Sequence, residues 1–259
     1  MINQLAFVHA NAKIGNNVTI GPFSTIEENV VIGDGTILHS NAVVMSGARI
    51  GKNCQIFPGA VISAVPQDLK FKGEETTAEV GDNTIVRECV TINRGTVAKG
   101  KTIVGNNCLL MAYSHIAHDS ILGNNIIIGN ASQLAGEVEI DDWAIISGGV
   151  LIHQFSRIGS HVMVQGGSRV SKDIPPFVTA GRDPIAYCGI NSIGLRRRGY
   201  TNEEIREIQD IYRYLYLSGM NTTNAIEKIE EELSENEYRK QIVEFIKKSE
   251  RGILRGWTD

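Results

Sequence analysis

The sequence predicts a mainly β protein: a parallel β-helix of hexapeptide repeats, followed by a small C-terminal three-helix domain. Three observations predict it. An apolar residue recurs every six positions from Val8 to Ile62 and again from Val80 to Val170. A small or β-branched residue sits four positions after many of them, as at Ala12, Ser24, Cys54, Thr84 and Cys108, and glycine often follows directly, as at Gly15, Gly33, Gly105 and Gly123. Beyond Pro175-Pro176 this rhythm stops and apolar stripes at helical spacing begin. A lone helix or hairpin cannot keep a six-residue series facing one way, whereas short strands joined by tight turns can. Each such unit lacks a core of its own, and stacking supplies a continuous one.

The first block holds ten hexapeptides, Val8, Ile14, Ile20 and onward to Ile62. The second holds sixteen and is read as unbroken from Val80 through Val86, Ile92, Ala98 and Val104 to Val170. Three hexapeptides make one triangular coil of 18 residues, so residues 18 apart stack about 4.8 Å from each other and about nine coils follow. Between the blocks, residues 63–79 carry the polar run Pro66-Gln67-Asp68-Leu69-Lys70-Phe71-Lys72-Gly73, which reads as a loop leaving the prism; such loops often carry function. The prism is therefore assigned to residues 1–190 and the helical domain to residues 191–259. In the latter, Thr201 with Glu204 and Ser234 with Glu237 read as capping boxes, Gly219 closes the first helix, and a middle helix starts near Thr222 to Asn224. Ile205, Ile208, Tyr212 and Leu215, then Ile226, Ile229 and Leu233, then Ile242, Phe245 and Ile246 supply the buried stripes. The helices are expected to cap the open sheet edge of the last coil.

At 259 residues, 42% apolar and net charge −4, the composition argues against a protein that coats nucleic acid or inserts stably in membranes. No leader and no long apolar run is read, so a cytoplasmic location is expected. Cys54 and Cys108 fall at the small inward position, while Cys89 and Cys188 are isolated, which reads as reduced thiols without a zinc or redox motif.

In each hexapeptide the first and fifth residues point inward, which places the third and fourth outside near a corner. His118 and Asp119 hold those places in the unit beginning at Ile116, and the 18-residue rule stacks Gly136 and then Gln154 on His118, with Glu137 and Phe155 on Asp119. An imidazole, a carboxylate and a glycine amide in one column suit acyl transfer to an alcohol. A neutral imidazole takes the hydroxyl proton and a peptide N–H binds the developing oxyanion. A surface histidine with no role is the plain alternative. His115, His118 and His153 permit a rival zinc site, although Gly136 rather than a second histidine lies above His118. Arg196-Arg197-Arg198 is a compact basic cluster suited to a diphosphate.

The segments Gln67-Asp68-Leu69-Lys70, Arg87 to Thr96, Ser114-His115-Ile116-Ala117-His118-Asp119, Val150 to Phe155, His161-Val162-Met163-Val164 and Gly194 to Tyr200 together resemble the UDP-N-acetylglucosamine O-acyltransferases, the first enzymes of lipid A synthesis. The resemblance covers the whole chain in order. It implies a left-handed β-helix, a homotrimer with sites between subunits, and transfer of a 3-hydroxyacyl chain from acyl carrier protein to the sugar, with no metal or other cofactor. It further implies that His118 is the general base, with Asp119 beside it and Gly136 at the oxyanion. Asp68, Lys70, His115, His153, Gln154, Asn191, Arg197 and Arg198 are then expected to hold the nucleotide sugar or the donor's phosphopantetheine arm, and Gly166 to serve as an acyl-length ruler that leaves room for about fourteen carbons or more. Glu137 stands where well-known members have histidine, and Ile193 where they have an acidic residue, so contacts to the sugar or ribose are expected to differ. A related N-acyltransferase, a zinc hydrolase and a non-catalytic β-helix subunit are the competing readings.

Overall fold

The structure, a computed structural model, describes residues 1–256. Residues 7–170 wind as short strands onto three parallel sheets, the faces of a triangular prism. The first face runs from Phe7–Val8 to Arg169–Val170, the second from Lys13–Ile14 to Arg157–Ile158, and the third from Thr19–Ile20 to Met163–Val164. Strands Val178–Gly181 and Ala186–Ile190 extend the third face, the last of them antiparallel. The sheets contain nine, eight and ten strands, in keeping with the coil number expected from the repeats.

The six-residue pattern has a direct packing cause. Ile26, Ile56, Ile62, Ile92, Ile116 and Leu134 have no exposed surface, and each lies over its equivalent in the next coil. Burying one such side chain contributes about 1.5–3 kcal/mol. The fifth positions are also inside, and several of their hydroxyls are satisfied by neighbouring backbone: Ser24, Thr36, Thr84 and Ser132 donate to the carbonyls of His39, Gly51, Gly105 and Ser147 at 2.8–2.9 Å. Burial pushes the Cys54 and Cys108 thiols up, so both stay protonated packing residues. The fourth position turns each corner in the left-handed region and is often asparagine, as at Asn17, Asn53 and Asn107, the residue type that tolerates that region best after glycine. One corner also carries a ladder of side-chain acceptors: the Asn124 amide N–H donates to Asp142 Oδ1, that of Asn106 to Asn124 Oδ1, and that of Asp82 to Asn106 Oδ1.

Two interruptions leave the prism. The first lies between strands Val61–Ala64 and Thr77–Val80, within the segment that the sequence marks as a loop, and it lengthens the step between stacked strands to 30 residues, Gln55 pairing with Ile85. The second, at residues 94–100, corrects the reading of an unbroken second block. His115 stacks on Thr91, 24 residues earlier, and Ala98 is exposed rather than inside. An insertion one repeat long keeps the apolar phase intact, so periodicity alone cannot reveal it.

The C-terminal region holds four helices rather than three: α1 (Ser192–Arg197), α2 (Asn202–Leu217), α3 (Thr222–Glu232) and α4 (Glu237–Lys247). The Thr201–Glu204 capping box forms, and Gly219 takes a φ of 72° just past α2. The expected box at Ser234 does not form, because Asn236 caps α4 by accepting from the Arg239 amide at 2.8 Å. Tyr212 is fully buried and its hydroxyl donates to the Pro176 carbonyl, while Tyr187 stacks on Tyr216 at 4.2 Å. These contacts seat α2 against the strands that end the third face. On the second face the edge is covered by the chain's last described residues: the Asp173 amide donates to Gly252 and the Leu254 amide to Asp173.

Close stacking leaves no room for a side chain at Gly105. A Cβ at Gly105 would lie 2.3 Å from the Gly123 carbonyl oxygen. Gly105→Ala is expected to destabilise the fold by about 1–3 kcal/mol, read as a lower urea midpoint at unchanged slope.

Candidate active site

His118 and Asp119 occupy the turn after strand His115–Ile116, at the corner between the first and second faces. One coil further on, Gly136 lies directly against the ring: a Cβ there would be 2.7 Å from His118 Cε1 and Nε2. The column expected from the 18-residue ruler therefore forms, and it forms because position 136 has no side chain. The Gly136 carbonyl accepts from Phe155, and the Glu137 amide donates to the His118 carbonyl at 3.0 Å. Among the described residues the Gly136 N–H has no partner.

Asp119 departs from expectation. Rather than facing outward with His118, it has no exposed surface, because the 94–100 excursion folds over it. Its Oδ1 accepts from the amides of Thr96 at 2.9 Å and Lys99 at 3.1 Å, and its Oδ2 from the Thr96 hydroxyl at 2.6 Å. The same Oδ2 lies 2.8 Å from His118 Nδ1. Burial works to raise the Asp119 pKa, but hydrogen bonds from Thr96 and His118 outweigh it and hold the carboxyl below its ordinary range. A carboxylate surrounded by donors fixes the proton of the ring on Nδ1 and leaves the Nε2 lone pair for other work.

The His118 side chain is only 12% exposed, and its open edge faces a cavity of about 740 Å³ on the first face. Of the residues expected to bind substrate, His115, His153 and Gln154 line this cavity. Asp68, on the first excursion, brings a carboxylate oxygen to 4.0 Å from His118 Nε2. Lys70 is exposed and does not line the cavity; its amide donates to Asp68 Oδ1 at 2.9 Å and so shapes the loop. His115 Nδ1 is 2.7 Å from Thr91 Oγ1, and burial, with the nearby His118, holds its pKa below the ordinary value. Three histidines thus face one space, yet among the described residues no three His, Cys, Asp or Glu side chains converge as a metal cluster.

Asn191, Arg197, Arg198 and Gly166 lie elsewhere in the chain. Asn191 caps α1 by accepting from the Gly194 amide, and its Nδ2 donates to the His161 carbonyl at 2.9 Å. Arg198 donates to the Trp143 carbonyl and stacks 5.3 Å over its ring, at the corner between the second and third faces, while Arg197 is exposed on α1. Gly166 is exposed at the third corner, after strand Met163–Val164. Sequence reasoning missed Asn93, Gln133, Leu151 and Arg169, all lining the His118 cavity. The last three stack on His115 at steps of 18 residues, so the same ruler applied to the outward strand position finds them.

Residues 173–254 match the family described as UDP-N-acetylglucosamine O-acyltransferase, domain 2. Residues 11–46, 29–64 and 101–136 match the bacterial transferase hexapeptide family (six repeats). The acyl-carrier-protein-dependent UDP-N-acetylglucosamine O-acyltransferase of Alkalilimnicola ehrlichii is 49% identical over 255 residues, 98% of this chain and 99% of its own. That of a Janthinobacterium species is 46% identical over 260 residues, again 98% and 99%. Among solved structures, the UDP-N-acetylglucosamine acyltransferase of Bacteroides fragilis superposes with a TM-score of 0.97 at 60% identity, covering 98% of this chain and all of that one. The coil is left-handed.

The His161 cluster beside Arg198 has a consequence for stability. His161 packs against Phe177 at 5.5 Å and Tyr200 at 5.3 Å, and burial, then the Arg198 charge, pushes its pKa down to about 4. An unfolded chain, with this histidine near 6.5, takes up the proton first. The cluster's contribution is therefore whole above about pH 6.5 and is lost as the pH falls toward about 4. Thermal midpoints are expected to drop across that window, and His161→Phe is expected to reduce the slope.

Proposed function

The chain belongs to the UDP-N-acetylglucosamine O-acyltransferase family, and on that premise we propose that it moves a 3-hydroxyacyl chain from acyl carrier protein to the glucosamine 3-hydroxyl of UDP-N-acetylglucosamine, opening lipid A synthesis. It is an acyltransferase. The observation that carries the mechanism is the column of His118 and Gly136, with Asp119 behind the ring. Nε2 of His118 takes the proton of the sugar hydroxyl, and the oxygen attacks the thioester carbonyl, forming the C–O bond. The tetrahedral oxyanion is met by the unpartnered Gly136 N–H. As the C–S bond breaks, the imidazolium returns its proton to the departing thiolate, leaving an ester and the carrier's free thiol. A positioned base is worth about 10²- to 10⁴-fold, and one oxyanion donor about 10²- to 10³-fold. Asp119, held ionised, stabilises the imidazolium between the two proton transfers.

His115, His153, Gln154 and Asp68 are assigned to substrate within the His118 cavity, with Lys70 beside them on the loop. Asn191, Arg197 and Arg198 are assigned to the phosphates or the carrier's arm, and Gly166 to the acyl chain. Their separation from the His118 cavity within one chain supports a homotrimer in which each site draws residues from two subunits. No described helix is long and apolar enough to cross a membrane, and the reading places the enzyme in the cytoplasm.

Mass spectrometry of UDP-N-acetylglucosamine incubated with 3-hydroxyacyl carrier proteins of several lengths tests the reaction. The wild type is expected to add one acyl chain, and His118→Ala to lower kcat by about 10²- to 10⁴-fold. Undiminished acylation by that variant removes the mechanism.

Subunit mixing tests the shared site. His118→Ala and Arg198→Ala, each weak alone, are expected to recover about a quarter of wild-type activity when refolded together at equal amounts, because random trimers place an intact half on each side of one interface in four. No recovery in mixed trimers confines both residues to the same subunit's site.

A further inference from the structure

We propose that the 94–100 excursion exists to position the catalytic imidazole and that Thr96 is the side chain through which it acts. The proposal rests on the reading of His118 as the base. An ordinary hexapeptide in this place would continue the prism and leave the fourth-position residue of the next coil at an open corner. Here the extra repeat folds outward and over Asp119, which supplies three of the donors on that carboxylate: the Thr96 amide, the Lys99 amide and the Thr96 hydroxyl. The fourth is His118 Nδ1.

Thr96 has a fixed role in this arrangement. Its Oγ1 accepts from the Ala98 amide at 3.2 Å, so its own proton is directed to Asp119 Oδ2 at 2.6 Å. That oxygen is the one bonded to the ring. Thr96 therefore sets both where Oδ2 sits and how much of its charge faces His118. The excursion is itself held rigidly. Thr76 Oγ1 donates to the Gly95 carbonyl at 2.6 Å, the Gly100 amide donates to the Thr96 carbonyl at 2.7 Å, and a Cβ at Gly95 would lie 2.2 Å from the Lys101 amide nitrogen. The Lys99 ammonium is taken up by Glu139 at 2.8 Å, which keeps it off the relay. The charged and titratable groups facing His118 or sharing its cavity are thus Asp119 behind Nδ1, Asp68 before Nε2, His115 on the strand before it, and His153 and Arg169 on the following coils. Thr96 is a positioning residue, since it touches Asp119 and not the substrate.

The test measures kcat, KM for both substrates, pH profiles and thermal midpoints for wild type, Thr96→Val, Thr96→Ser and His118→Ala. Thr96→Val keeps the shape and loses the donor. It is expected to lower kcat about 10- to 100-fold with KM within about twofold, and to move the acidic limb of kcat/KM to higher pH, because more carboxylate charge then faces the imidazolium. Thr96→Ser restores the donor and is expected to recover kcat to within about threefold with the wild-type limb. A Thr96→Val enzyme with wild-type kcat and limb overturns the proposal, as does an equal loss in Thr96→Ser, or a loss confined to KM or to the thermal midpoint. If His118→Ala stays fully active the base assignment fails first, and the proposal with it. If that variant is inactive while Thr96→Val is normal, only the role of Thr96 is lost.

Discussion

Backbone coils stacked at the spacing of a parallel sheet, about 4.8 Å, leave a corner residue little room beside the residue one coil away. Everything at the site follows from that constraint. The hydrogen bonds that set it run coil to coil, as from the Gly123 amide to the Ile140 carbonyl and from the Ala117 amide to the Leu134 carbonyl. A side chain at 136 would occupy the space now filled by the His118 ring. The imidazole and the free amide are adjacent because the coil between them is one turn and position 136 is bare. No loop needs to close and no element needs to move to bring them together, so the positioning cost is met when the protein folds.

Burying a carboxylate behind the imidazole is the second feature, and by itself an expensive one. A desolvated charge is tolerated only where donors replace water, and at Asp119 those beyond the ring itself come from outside the regular coils. One of the two excursions solves this, and the other lies on the far side of the ring. The 94–100 segment provides the donors to Asp119, and the loop after Ala64 carries Asp68 to the other side of the ring. They are tied to each other as well. Asn93 donates to the Val65 carbonyl at 3.0 Å, the Arg94 amide to the Ala64 carbonyl at 2.9 Å, and the Arg94 guanidinium stacks 5.4 Å from the Phe71 ring. The plain repeats thus supply registry, and the departures from them supply the polar surroundings.

That division explains what could be read without coordinates. Periodicity located the core, the three-hexapeptide coil and the stacking of Gly136 on His118, because all three express one spacing. It was blind to the second excursion, since six inserted residues leave the phase of Ile92 and Val104 unchanged. The burial of Asp119 was lost with it: its donors come from Thr96 and Lys99, which the unbroken reading put in another coil. Local capping chemistry was legible at Thr201 but not at Ser234, where Asn236, two residues nearer the apolar stripe, competes for the same role. The short helix at Ser192–Arg197 has only Leu195 buried, too little apolar signal to announce a helix. Arg198, beside Trp143 at another corner, lies away from the His118 cavity, and the repeat pattern says nothing of how the helical region folds back onto that corner.

Glu137, where the resemblance leads one to expect histidine, can be located by the same geometry. Its backbone keeps the corner, with a φ of 59° and its amide on the His118 carbonyl, so the side chain is free to vary without disturbing the column. That side chain lines a separate cavity of about 440 Å³ on the second face, with Lys99, Glu139, Phe155 and Arg157. Glu139 there bonds Lys99 at 2.8 Å and lies 3.5 Å from Arg157, and an added carboxylate joins cations already present. Within one chain, a carboxylate at this corner therefore adds to the charge balance behind the excursion that carries Thr96, and takes no part in the walls of the His118 cavity.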